Sequence, residues 1–258
     1  MKAAVLSAVI LILGASVCRN ATPVQAAPPE VTVAGASNLT EVFGLMGPVF
    51  ESATGIHPVF SFGATAQLAQ QIESGAPWDV FAAADAEHVD QLDAKGLLVP
   101  GSRAVYATGI LAMWIPPTAK AKIARIEDLT APDVRVISVA RPELAPYGQA
   151  TVETLQHAGI WDRVQSKIVY ASNISMAKQY GTSGNADAVF TAYSLVLNEG
   201  GKVIQVDESA HRPITQELGI VAATKNRQGA QAFVDFLLKG NGRDILASHG
   251  YRVPGNVH

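Results

Sequence analysis

Four short stretches place small, hydroxyl-bearing or amide-bearing residues where a strand pattern gives way to a helix pattern: GASNLTE (35–41), SFGATAQL (61–68), LAPYGQA (144–150) and YASNISMA (170–177). The chemistry they offer is that of neutral hydrogen-bond donors. Ser37 and Asn38 stand in the first, Thr65 brings a hydroxyl in the second, Tyr147 a hydroxyl or N–H in the third, and Ile174 a backbone N–H in the fourth, just after the capping residue Asn173. The first N–H groups of a helix lack intrahelical partners and carry the positive end of its dipole, so a helix start receives anions. None of the four stretches contains Lys or Arg. Such a cradle can still hold a dianion. Hydrogen bonds to a charged group contribute about 1.5–3 kcal/mol each, micromolar binding requires about 8 kcal/mol, and roughly six to eight such bonds leave a margin against the ordering costs of association.

Each stretch also has a plainer reading. Asn38 followed by Glu41 approximates a capping box, in which the amide oxygen would turn to the helix rather than its N–H groups to a ligand. Gly63, Ala64 and Thr65 suit any helix start, and Tyr147 could simply pack its ring in a loop stiffened by Pro142 and Pro146. What favours a site is the recurrence of the same chemistry after several strands.

Other chemistry is sparse. The His residues at 57, 88, 157, 211, 249 and 258 show no metal-ligand spacing, GTSGN (181–185) lacks the ending of a P-loop, and there is no Gly-x-Ser-x-Gly elbow. Asp79 and Asp85 flank a strand and are read as a turn-closing residue and a helix cap. A secreted hydrolase using one of them as base is the alternative from another class, but no titrating group stands among the donors, so the chain is read as a binding protein and not an enzyme.

The elements that must position these donors alternate. Strands are expected at VTVAGA, HPVFSF, WDVFAAA, ILAMWIP, VRVISVA, SKIVYA, ADAVFTA and ELGIVAAT, and helices at 39–53, 66–74, 86–95, 150–158, 174–181 and 228–237. Alternation of this kind predicts parallel α/β architecture with right-handed crossovers, in which ligands gather beyond the carboxyl ends of strands. The 258 residues, 48% hydrophobic and 16% charged, suit one large domain or two lobes of roughly 100–130 residues.

The first 27 residues read as an export signal: Lys2, an apolar run from Ala3 to Ala15, and small residues for cleavage near Ala26 or Ala27. Cys18 follows Val17 rather than the Gly, Ala or Ser of a lipoprotein signal, so lipid anchoring through Cys18 is the lesser reading. Cleavage removes Lys2, Arg19 and the single Cys, leaving 17 basic and 22 acidic residues and a net charge of −5. A mildly acidic, cysteine-free chain argues against disulfides, a thiolate site and a nucleic-acid partner, and requires local groups to hold any anion.

The ordered motifs AGASNLTEVF, FSFGATAQLAQQIESGAPWDVFAAAD, ARPELAPYGQATVETLQHAGIWDRV and GNADAVFTAYS, behind an export signal, resemble the periplasmic molybdate-binding proteins of ABC-type importers, over essentially all of Val31 to Pro254. The resemblance implies a two-lobed type II substrate-binding fold, with lobe 1 at 31–108 plus 216–258 and lobe 2 at 109–215. It implies a monomer in the periplasm that captures molybdate, and tungstate, between the lobes and delivers it to an ABC permease of the inner membrane. No cofactor is implied, and molybdenum arrives as the oxyanion with no metal bound directly by protein groups. By position, Ser37, Asn38, Thr65, Tyr147 and Ile174 are the implied contacts. Many relatives have a tyrosine where this chain has Thr191, which leaves Thr191 outside the expected site and a part for Tyr193, two residues on, open. Sulfate or phosphate remains the alternative ligand, with cavity size as the expected discriminator.

Overall fold

Residues 29–255 are described by the computed structural model; the expected export signal and Cys18 lie outside the described residues. The chain starts as expected, with β1 (Glu30–Ala36), α1 (Thr40–Thr54), β2 (His57–Gly63), α2 (Thr65–Glu73), β3 (Val80–Ala82) and α3 (Glu87–Ala94). Val31, Val33 and Ala34 are fully buried because helices cover both faces of β1, as in parallel sheets generally. The next strands, β4 (Ala104–Gly109) and β5 (Leu111–Ile115), follow each other almost without a break.

A second βα series comprises β6 (Ile137–Ala140), α4 (Pro146–His157), α5 (Trp161–Val164), β7 (Ile168–Ala171), α6 (Ile174–Thr182), β8 (Ala188–Ala192) and β9 (Lys202–Gln205). The chain then returns through β10 (Ile214–Ile220), α7 (Arg227–Lys239), α8 (Asn241–Ser248) and β11 (Tyr251–Arg252). The sheets are six-stranded, in the order β11-β4-β10-β3-β1-β2, and five-stranded, in the order β7-β6-β8-β5-β9. Each carries its own lobe. In the first, Phe43, Phe50 and Phe233 pack as a buried aromatic cluster with ring centroids 5.4–5.6 Å apart. In the second, Leu155, Val164 and Phe190 lie in the buried core.

The parallel βα units expected from the sequence make up only part of each sheet. Only β2-β1-β3 and β7-β6-β8 run parallel; β10 is antiparallel to β3 and β4, and β5 is antiparallel to β8 and β9. The reversed strands are those that carry the chain between lobes, so they enter each sheet from the direction opposite to its βα units. Two of the boundaries that move bear on the site. Helix α4 begins at Pro146 rather than 150, because a proline at N1 loses no hydrogen bond and already has helical φ. Strand β10 begins at Ile214, not 217, which draws Gln216 into the sheet.

Candidate functional site

Four helical starts meet at one small pocket between the lobes. Its lining includes Ser37 and Asn38 from the 3-10 turn after β1, Thr65 at the start of α2, Tyr147 in the first turn of α4, and Ile174 opening α6. All five residues singled out from the sequence are therefore together, each between 1% and 4% exposed. No lining residue is charged. Thr191 and Tyr193 are not among the lining residues, and the Thr191 hydroxyl is buried without a hydrogen-bond partner.

The local structure explains why backbone donors face this space. Thr65, Pro146 and Ile174 each open a helix and Tyr147 stands second in its own, so the N–H groups of Thr65, Tyr147 and Ile174 are among those that helix geometry leaves without an i−4 acceptor. Asn173 caps α6 as expected, its oxygen accepting from Met176 N at 2.9 Å. Gly148 is required because a Cβ there would overlap the Ala140 carbonyl at the end of β6, which would push α4 away from the pocket.

The expected capping box at Asn38 does not form. The N-cap of α1 is Leu39, with no side-chain cap, because the 3-10 turn Ser37–Leu39 intervenes between β1 and the helix. The amide of Asn38 instead joins a buried network: Asn38 Nδ2 lies 3.1 Å from Gln216 Oε1 and 3.1 Å from the Tyr251 hydroxyl, which donates to the Asn38 carbonyl at 2.8 Å. Gln216 Nε2 lies 2.9 Å from the Tyr147 hydroxyl, and Tyr106 lies 2.8 Å from Gln216 Oε1. Thr65 Oγ1 accepts from Ala84 N at 3.2 Å, which leaves its own proton for another partner. Burial pushes the Tyr106, Tyr147 and Tyr251 hydroxyls above the usual tyrosine value, so all three stay protonated through the neutral range.

Sequence inspection missed Gln216, Tyr106 and Tyr251. They are far along the chain from Asn38 and carry no local motif, so no spacing could have found them. Gly109, at the crossing between β4 and β5, has the same status: a Cβ there would overlap the Tyr147 hydroxyl and come within 2.5 Å of Gln216 Nε2. Gly109→Ala is expected to weaken anion binding about 10- to 100-fold, the worth of one charged-group hydrogen bond. An isothermal titration of the variant checks this, and affinity equal to that of the parent would show that these groups can move without consequence.

Asp79 and Asp85 lie outside the pocket lining. Asp85 serves the start of α3 as expected, accepting from His88 N at 3.0 Å and facing His88 Nδ1 at 2.8 Å. Asp79 does more than close a turn: it accepts from Thr32 N and Thr32 Oγ1, each at 2.8 Å, and from the Thr224 hydroxyl, which ties β1 to the segment after β10. Among the described residues no cluster of three His, Cys, Asp or Glu side chains could hold a metal.

Contacts across the cleft hold the lobes against each other. Ser175 Oγ donates to the Ser37 carbonyl at 2.7 Å, Ala66 N donates to the Leu144 carbonyl at 3.2 Å, and Lys178 bridges Glu41 at 2.7 Å and Glu199 at 2.6 Å. Burial alone would lower the Lys178 ammonium, but its hydrogen bonds to Glu199 and Glu41 outweigh burial and raise it above the ordinary 10.5. A raised lysine contributes fully below its ordinary value and loses its contribution only as pH climbs through the raised one, so this clamp persists at neutral pH. A wider cleft of about 530 Å³ adjoins the pocket through Ala84, Ala145 and Pro146.

The model of the family described as "Bacterial extracellular solute-binding protein" matches residues 31–252. The chain is 35% identical over 230 residues to a molybdate-binding protein of Rhodobacter capsulatus, covering 88% of this chain and 89% of that one. It is also 35% identical over 254 residues to a molybdate-binding protein of Azotobacter vinelandii, covering 95% and 97%. A solved structure of the periplasmic molybdate-binding protein of Azotobacter vinelandii superposes with a TM-score of 0.82 at 29% identity, covering 87% of this chain and 99% of that one.

Proposed function

Since the chain belongs to the bacterial extracellular solute-binding protein family, in the branch of the molybdate-binding proteins, we propose that it captures molybdate, and tungstate with it, for an ABC permease. The observation that carries this reading is the pocket itself: four helical starts converge on it, and it is lined by small and neutral donor-bearing residues with no charged side chain. Ser37, Asn38 and Thr65 act from one lobe, and Tyr147 and Ile174 from the other. The lobes divide as 31–108 plus 216–258 and 109–215, a division supported by β4 ending at Gly109 and β10 starting at Ile214.

Capture proceeds by closure of the two lobes on a dianion, and no covalent step is involved. Fixed dipoles suit this cargo better than an arginine would, because release to the permease needs only separation of the lobes, which parts the donors of Tyr147 and Ile174 from those of Ser37, Asn38 and Thr65. The same reading makes the mature protein a periplasmic monomer delivered by its export signal and working without a cofactor.

A competition titration tests the ligand. Molybdate and tungstate are expected to bind at micromolar concentration or tighter and to resist displacement by a roughly hundredfold excess of sulfate or phosphate. Displacement by sulfate or phosphate would show that the pocket accepts tetrahedral oxyanions without regard to size, and the assignment to molybdate would fail.

A further inference from the structure

Gln216 is fully buried and stands at the junction of both lobes. One end of its amide lies 3.1 Å from the Asn38 amide and 2.8 Å from the Tyr106 hydroxyl, while the other end lies 2.9 Å from the Tyr147 hydroxyl. The two ends of an amide have nearly the same shape, so each of these side chains fits its place in either orientation, and the hydrogens decide between them.

The hydrogens of this arrangement do not satisfy all of its oxygens. Tyr106 has one proton but lies 2.8 Å from two carbonyl-type oxygens, those of Ala83 and Gln216. In the same arrangement Asn38 Oδ1 is buried with no partner, although Asn38 lines the pocket. Turning both amides over removes both faults. Gln216 then donates to Tyr106 and to the Asn38 oxygen, Tyr106 donates to Ala83, Tyr147 donates to Gln216, and the Asn38 NH₂ is released. The remaining strain is the 3.1 Å approach of the Asn38 oxygen to Tyr251, whose proton serves the Asn38 carbonyl at 2.8 Å. Neither amide can turn alone, since two oxygens or two NH₂ groups would then face each other.

Building on the function proposed above, we infer that Gln216 is a positioning residue of the anion site: it turns in concert with Asn38, so that in the bound protein Asn38 donates to the anion and the Tyr147 hydroxyl donates to Gln216. The two candidate side-chain donors are thereby exclusive. Tyr147 serves the anion through its backbone N–H at the start of α4, and its hydroxyl holds the relay that orients Asn38 in the opposite lobe. An anion selects this orientation because a carbonyl oxygen turned toward it would repel it.

The test is a double-mutant cycle read by calorimetric titration with molybdate. Gln216→Met is expected to lose about 20- to 100-fold in affinity in the parent protein and less than about 3-fold in an Asn38→Ala background, since Gln216 acts through Asn38. Tyr106→Phe, a change that removes only a hydroxyl, is expected to lose about 3- to 10-fold, again only when Asn38 is present, and decides the matter if Gln216→Met does not fold. In protein labelled with ¹⁵N-asparagine, the side-chain NH₂ signal that disappears in Asn38→Ala is expected to shift when molybdate is added. Losses that are equal in both backgrounds, or an Asn38 NH₂ signal indifferent to molybdate, would overturn the role of Gln216. A parent protein that binds no molybdate would instead overturn the functional reading on which it rests.

Discussion

Asn38→Asp is expected to abolish molybdate binding at neutral pH, with a loss of at least about a thousandfold. Two unit charges about 4 Å apart interact by about 4 kcal/mol at the effective dielectric of a partly wet protein site. Against a dianion the repulsion doubles to about 8 kcal/mol, which equals the whole of micromolar affinity. The change also removes both amide protons of Asn38. Its surroundings offer little relief, because Asn38 is 1% exposed and no cationic side chain lines the pocket. The introduced carboxyl can escape only by taking up a proton; burial and the anion both raise its affinity for one, so binding should return in part as the pH is lowered. Titration calorimetry across a pH series measures this, and affinity within about tenfold of the parent at neutral pH would remove Asn38 from the site.

The second large effect is on stability. A ligand that binds only the folded protein, supplied at about 1,000 times its dissociation constant, stabilises it by about 4 kcal/mol. For a chain of this size each kcal/mol corresponds to roughly 2–4 °C, so molybdate or tungstate should raise the melting temperature by about 8–16 °C. At the proposed site the anion would bridge donors from both lobes, so the rise should be the same for the whole molecule and absent in Asn38→Asp. A scanning-calorimetry melt with molybdate, tungstate, sulfate and phosphate in turn gives the comparison. A melt unmoved by molybdate but raised by sulfate would reassign the cargo; a melt in which one lobe alone gains stability would show that the anion sits on a single lobe.

Both effects depend on neutral donors whose positions the fold provides, the anion selecting only the orientation of the Asn38 amide. The glycines at 109 and 148 provide the room: one lets the Tyr147 hydroxyl and Gln216 meet at the crossing strand, and the other lets α4 abut the end of β6. The cross-lobe bonds of Ser175 to Ser37 and of Lys178 to Glu41 favour the same closed arrangement of lobes that the proposed capture requires.

What the sequence by itself determined was local. Small and hydroxyl-bearing residues after strand patterns marked the helix starts, and Ser37, Asn38, Thr65, Tyr147 and Ile174 could be picked out because a free N–H at a helix start is a property of a few consecutive residues, and a family resemblance assigned those positions to one ligand. The order of strands and helices was legible for the same reason, apart from β4, β9, β11, α5 and α8, which are short or lack a clear apolar period. Tertiary structure alone decided what those local signals mean together. It reversed β5 and β10, because strands that cross between lobes enter each sheet from the other side. It also denied Asn38 its capping role, since a 3-10 turn separates it from α1, and its NH₂ faces a buried glutamine and tyrosine from the returning chain. Hydrogen bonds between residues 178 and 213 positions apart leave no period, spacing or composition in the sequence; they exist only where folding brings their partners into one buried space.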